Sequence, residues 1–305
     1  MLAVALFLLE AALVASYARR LRLGNPPENA TTSATKILLL IGLAAVPPIL
    51  LAATSPEVYP SINPDSGGAT GGSLLGSSLG VVALLCLLPC AVGVPGSPRD
   101  RLRVVLPTLA LLAVHFGWFL ALDHGNHSNR EGLQIASLAS LAVWPPVLVI
   151  YLRRFCWPRV SRRWLAALGA WGALLVSTGI VQFLPSVLDR WKFTNALVGH
   201  AHLALAGFVT AFNMVVLTAV EPHSRQANGL ARRSTFWMWN AGCVAFVTTM
   251  LALGTIEGDR PAAVFYGDTV TRLAYAVRWV AGAAMLAASV RWLSAALPDD
   301  GRGAA

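Results

Sequence analysis

The stretch 195–220, NALVGHAHLALAGFVTAFNMVVLTAV, is an apolar run interrupted near its start by two histidines, His200 and His202. Such a run is close to the roughly 20 residues that a helix needs to cross the hydrocarbon layer of a bilayer. In lipid the backbone polar groups have to be satisfied within the segment itself, so the run reads as a helix. At about 100° of rotation per residue, side chains two positions apart point to nearly opposite faces of that helix. One metal ion is not easily chelated by such a pair, whereas two separate flat cofactors can each take one ring.

Similar runs recur along the chain. Of its 305 residues, 56% are hydrophobic and 12% charged, the latter about half the share usual in soluble proteins. Nine candidate spans stand out, at 2–18, 36–54, 73–95, 104–122, 132–152, 164–184, 195–220, 235–256 and 273–295. The expected fold is all-α: a polytopic membrane helix bundle forming a single integral membrane domain over residues 1–305, with no soluble domain of any size. The first run, MLAVALFLLEAALVASYARR, has no basic residue ahead of its apolar core and contains Glu10. It therefore reads as a retained helix and not as a cleaved signal peptide.

Basic residues alternate between the connections. One side holds Arg19, Arg20, Arg22 and Lys36, then Arg99, Arg101 and Arg103, then Arg153, Arg154, Arg159, Arg162 and Arg163. Arg225, Arg232, Arg233, Arg291 and Arg302 continue the same side, which collects 17 of the 23 lysines and arginines. The other side holds Arg130, Arg190, Lys192, Arg260, Arg272 and Arg278. The positive-inside rule then places the N-terminus outside and the C-terminus in the cytoplasm, which requires an odd number of crossings. So distributed, the net charge of +9 points to orientation in a lipid bilayer and not to a nucleic-acid partner. The expected location is the cell membrane, as a multi-pass protein.

Several motifs carry little chemistry. The stretch SPEVYPSINPDSGGATGGSLLGSSLG is rich in glycine and serine, but no G-K-[ST] follows it. Gly72, Gly76 and Gly80, four residues apart, suit close helix packing. The cysteines, Cys86, Cys90, Cys156 and Cys243, lack zinc-ribbon or C-x-x-C spacing. There is no G-x-S-x-G elbow and no H-E-x-x-H pair. A transporter reading finds no paired inverted repeat or broken half-helices. Glu10, inside the first span, reads equally as a proton-relay residue or as a carboxyl kept protonated by burial. Asn213 and Asn240 are explained by interhelical hydrogen bonding.

Five of the six histidines fall in the outer half of the membrane or at its outer face; His223, in EPHSRQ, reads as a solvated loop residue. His200 and His202 lie five and seven residues into their span, ~8–11 Å deep at 1.5 Å per residue. His115, in LLAVHFGWFL, sits at a similar depth in the fourth span, and His124 and His127 occupy the connection after it. An isolated histidine in a span is explained by a hydrogen bond across helices. A pair joined by a third at matching depth favours ligation instead, because polar groups in a span usually face a cavity or a cofactor. Neutral imidazole is a natural axial ligand for haem iron, and an apolar bundle is a suitable haem pocket.

The segment SVLDRWKFTNALVGHAHLALAGFVT resembles the tenth helix, with its preceding outer loop, of subunit I of the haem–copper oxidase superfamily. The likeness is to the branch of alternative cytochrome c oxidases and bacterial nitric oxide reductases. Gly199, His200, His202, Gly207 and Phe208 match that family's pattern. The resemblance implies that His200 is the ligand of a high-spin haem and His202 the ligand of a low-spin haem. Upstream, LDHGNHSNREGLQIASLASLAVWPPVLVIYL is similar in layout to the family's outer loop that supplies two histidines to copper, which implies His124 and His127 as metal ligands.

The departures narrow what this likeness implies. The third span contains no histidine to match the family's third copper ligand, and no span is left to supply the usual second low-spin ligand. A complete oxygen- or nitric-oxide-reducing centre cannot be assembled from this chain in the family's way. The expectation is a haem-binding membrane protein with electron-transfer or diatomic-gas chemistry near the outer face. Haem is the expected cofactor and copper a second candidate. One haem is held by His202 or His200, with His115 as a candidate opposite ligand. Arg190 and Lys192 are placed to pair haem propionates, or equally to anchor the interface. The alternative is a non-catalytic membrane subunit or assembly factor that retains the fold. A partner subunit would then supply missing helices or ligands, and an electron-donor protein is a further candidate partner.

Overall fold

The computed structural model describes residues 71–91, 94, 96, 101–122, 131–182, 184–220, 225–260 and 267–296. These are helical apart from short connections and an isolated antiparallel bridge between Gly96 and Phe155. Helix α1 is Gly71–Ala91, and a π-helical turn, Arg101–Val105, leads into α2, Leu106–Ala121. Helices α3 (Gly132–Ser140) and α4 (Trp144–Arg153) join through a 3-10 turn, Leu141–Val143, into one rod. A second 3-10 turn, Arg159–Ser161, opens α5 (Arg162–Gln182), which is followed by the short α6 (Pro185–Trp191). Helix α7 (Asn195–His202), a π-helical segment (Leu203–Val209) and α8 (Thr210–Val220) form the next rod. Helices α9 (Arg225–Leu230), α10 (Arg233–Asp259) and α11 (Thr269–Ala296) complete the described chain.

Six of these rods are long and apolar enough to cross a membrane: Arg103–Ala121, Gly132–Arg153, Arg159–Gln182, Asn195–Ala219, Arg233–Asp259 and Thr269–Ala295. They coincide with the fourth to ninth spans expected from sequence, their ends shifted by at most five residues. The third expected span corresponds to α1, whose apolar part, Ser78–Cys90, is shorter than a full crossing. The first two spans and Glu10 lie outside the described residues. Large apolar side chains such as Val114, Ile180, Trp279, Leu286 and Leu293 stay exposed on the rods. Apolar surface on that scale marks a membrane-facing protein.

Local sequence explains the breaks. Leu184 is extended, as a residue before proline tends to be, and Pro185 opens α6. Thr194 caps α7 by accepting a hydrogen bond from the Ala196 amide at 3.2 Å. Asp268 does the same for α11, accepting from the Thr271 amide at 2.7 Å.

Two clusters form the core. One joins Trp164, Trp171, Phe212, Val215, Phe236 and Trp292, and the other joins Leu75, Leu79, Trp144, Tyr151 and Phe155. Glycines set the closest approaches. A methyl on Gly207 would stand 2.6 Å from the ring of Trp171, and one on Gly172 would stand 2.9 Å from Phe208. The neighbouring pairs Trp171–Gly172 and Gly207–Phe208 thus interlock, each glycine making room for the other pair's ring. Gly76 receives Phe119 in the same way, whereas Gly80 faces open space, so the expected glycine stripe packs at one described position and not at the next.

Candidate functional site

The two histidines of α7 emerge on different flanks, as helical geometry requires. Between them runs the stripe that packs on α10: Ala196 meets Gly254, and Gly199 meets Met250 and Leu251. His200 lies on one side of this stripe against α5, and His202 on the other beside Phe246 of α10.

Hydrogen-bond chemistry assigns the tautomers. His202 Nδ1 lies 2.8 Å from the Val198 carbonyl. A carbonyl only accepts, so Nδ1 carries the proton, and a neutral ring leaves its lone pair on Nε2. The ring is held in plane by Phe246, with centroids 4.8 Å apart and planes at 33°. At His200, Nδ1 is 3.1 Å from Thr178 Oγ1, whose own proton goes to the Leu174 carbonyl at 2.7 Å. Nδ1 of His200 is therefore also the donor. Its ring lies over Gly179, where a methyl group would come within 3.4 Å of Cε1.

His115 has the opposite tautomer. It is 8% exposed and accepts the Trp144 indole N–H on Nδ1 at 2.8 Å. An indole only donates, so the neutral ring holds its proton on Nε2 and offers no lone pair there. This bond ties α2 to α4 and places His115 beside Trp144, in the second core cluster, away from the contacts described for His200 and His202.

The expected propionate partners have protein anions of their own. Arg190 is bonded to Asp259, and Lys192 lies 3.4 Å from Asp189. These pairs anchor α6 to α10 and stabilise the turn after α6. His124, His127 and His223 lie outside the described residues. Among the described residues no group of three or more histidine, cysteine, aspartate or glutamate side chains is disposed to hold a metal ion.

A polar network that the sequence reading passed over lies next to His202. The span expected at 235–256 ends one residue before Glu257, but α10 continues to Asp259 and Glu257 is 8% exposed. Its carboxylate accepts the Asn195 amide N–H at 2.6 Å and also the Asn195 side-chain N–H. It thereby satisfies donors at the start of α7 that have no partner within the helix. Asn195 Oδ1 in turn faces Arg278 of α11 at 3.5 Å. The Arg278 guanidinium stacks on Tyr275 and Phe246, at 4.9 and 5.2 Å from their centroids. The available signal was an arginine well inside an apolar run, which is costly without a partner.

The π-helical segment begins directly after His202, and two of its carbonyls also accept side-chain donors. Ala206 O accepts the Trp239 indole N–H at 2.9 Å, and Leu205 O accepts the Thr210 hydroxyl at 3.0 Å. Segments of this kind are frequent at functional sites. Comparison of the chain with protein-family models, curated proteins and solved structures finds no match.

Proposed function

We propose that this is a multi-pass membrane haem protein in which His202 Nε2 ligates the iron. The observation that carries the reading is the Val198–His202 bond. Ligating histidines donate their other N–H to an acceptor that fixes tautomer and ring plane, and Val198 and Phe246 are suited to that task. A bound haem would supply a one-electron couple or a site for a diatomic gas. The protein's own part is to present a neutral imidazole, orient it and keep water from it. The reading includes nine crossings with the N-terminus outside, which puts His202 nearer the outer face. Copper at His124 and His127, and an electron-donor partner, belong to the same proposal, with copper content of the purified protein as its check.

A second reading, a non-catalytic membrane subunit or assembly factor, is favoured by two of the three described histidines. His115 and His200 each make a hydrogen bond to another helix, which is sufficient reason for their presence. The absorption spectrum of the detergent-purified protein, expressed with adequate haem, separates the readings. The haem reading expects a Soret band that His202→Ala abolishes. Absence of the band in the wild type, or an unchanged band in the folded variant, would overturn it. Intact pigment in both alanine variants with lost assembly in His200→Ala would favour the second reading.

A further inference from the structure

We infer that Arg278 is an oxyanion-binding residue for an amphiphile seated on the α7–α10–α11 flank. This goes beyond the haem reading and rests on it only where the oxyanion is a porphyrin carboxylate. Arg278 lies nine residues after Thr269, which at 1.5 Å per residue puts its Cα about 14 Å along α11. An arginine at such a position is costly and is usually met by an anion, a backbone carbonyl or a water-lined cavity. A guanidinium has five N–H donors. Among the described residues Arg278 finds one acceptor, Asn195 Oδ1, at the 3.5 Å limit of a hydrogen bond. Its Nε is enclosed and has no partner among the described residues.

The acid closest along this network does not serve it. The two carboxylate oxygens of Glu257 are each taken by an N–H of Asn195, and Asn195 is what separates that charge from Arg278. Cation–π contacts with Phe246 and Tyr275 hold the guanidinium plane but supply no counter-charge. Side chains on a helix lean toward its N-terminus, so the group reaches toward the end of the bundle where Asn195 and Glu257 lie. Exposed Val198, Tyr275 and Trp279 offer apolar contact for the rest of a ligand. The chemistry that completes Arg278 is a carboxylate or phosphate oxygen on a molecule with an apolar body. A phospholipid headgroup and a haem propionate both have that chemistry.

Native mass spectrometry on the full-length detergent-purified chain tests the assignment with matched ligand pairs. Phosphatidylglycerol is compared with diacylglycerol, and haem with haem dimethyl ester. The wild type is expected to prefer the charged member of at least one pair. Arg278→Gln should weaken that member by about tenfold or more, the scale of a lost charge-assisted hydrogen bond, while the neutral members bind unchanged. Loss confined to phosphatidylglycerol identifies a lipid phosphate; loss confined to haem identifies a porphyrin carboxylate. Equal wild-type binding of charged and neutral members in both pairs overturns the proposal without any variant, so a misfolded Arg278→Gln does not shield it. Undiminished binding to the folded variant overturns it as well. Failure of haem and its ester to bind at all removes the haem reading, and the lipid pair then decides this one.

Discussion

Several indole N–H groups held between helices find their acceptor on the protein, although Trp292 Nε1 is buried with none among the described residues. Trp144 donates to His115 at 2.8 Å, Trp171 to Asn240 Oδ1 at 2.8 Å, and Trp239 to Ala206 O at 2.9 Å. Removing the donor from the first of these bonds leaves a buried imidazole nitrogen without its partner, which costs about 1–3 kcal/mol. Trp144→Phe should therefore lower the thermal unfolding midpoint in detergent and leave any haem spectrum in place. A changed Soret band in that variant would instead put His115 at the iron. Asp268, outside the spans, gives a pH signature. The hydrogen bonds from the Thr271 amide and side chain hold its carboxyl below the ordinary value of 3.8. Its stabilising contribution is complete above that value and is lost as pH falls through the lower folded value. Asp268→Asn should flatten the acid limb of midpoint against pH; parallel acid limbs for the two proteins would refute it.

Among elements, the α7–α10 contact and the interlock of Gly207 with Trp171 are two of the tight places in the bundle. A methyl group on Gly254 would fall on the backbone of Ala196, and one on Gly207 would fall into the Trp171 ring. Overpacking a close contact costs about 1–3 kcal/mol, so Gly254→Ala and Gly207→Ala should both destabilise, the former more because backbone cannot step aside. Gly80 is the control: a methyl there meets nothing within 4 Å. Gly80→Ala in mid-helix should stabilise by about 0.5–1 kcal/mol. The ranking of the three midpoints checks the argument, and equal effects at Gly80 and Gly254 would refute it. The π-helical segment lies in the same packed region, where the Trp239 indole of α10 donates to its Ala206 carbonyl.

For the molecule as a whole, the connection after α4 and the end of α1 lie together. Cys90 is 3.3 Å from the Tyr151 hydroxyl and accepts from Arg154 at 3.4 Å; Cys156 follows two residues on. Both are exposed, whereas Cys86 and Cys243 are buried. With the proposed orientation, a membrane-impermeant maleimide should label Cys90 and Cys156 in inverted vesicles and not in right-side-out ones. The buried pair should react only after unfolding. Labelling both from the outside would reverse the orientation, and labelling them from opposite sides would contradict the arrangement of α1 against α4.

Hydropathy and the alternation of basic loops determined that this chain is a bundle of membrane helices, because the free energy of moving a segment into lipid is close to a sum over its own residues. Helical periodicity likewise determined that His200 and His202 diverge. Only the tertiary structure decided which nitrogen of His115 and of His200 holds a proton, that Arg190 is matched to Asp259, and that Glu257 is enclosed while Arg278 is left short of acceptors among the described residues. Those outcomes depend on which side chains from distant parts of the chain come within hydrogen-bond range, and a local pattern of apolar residues does not contain that information.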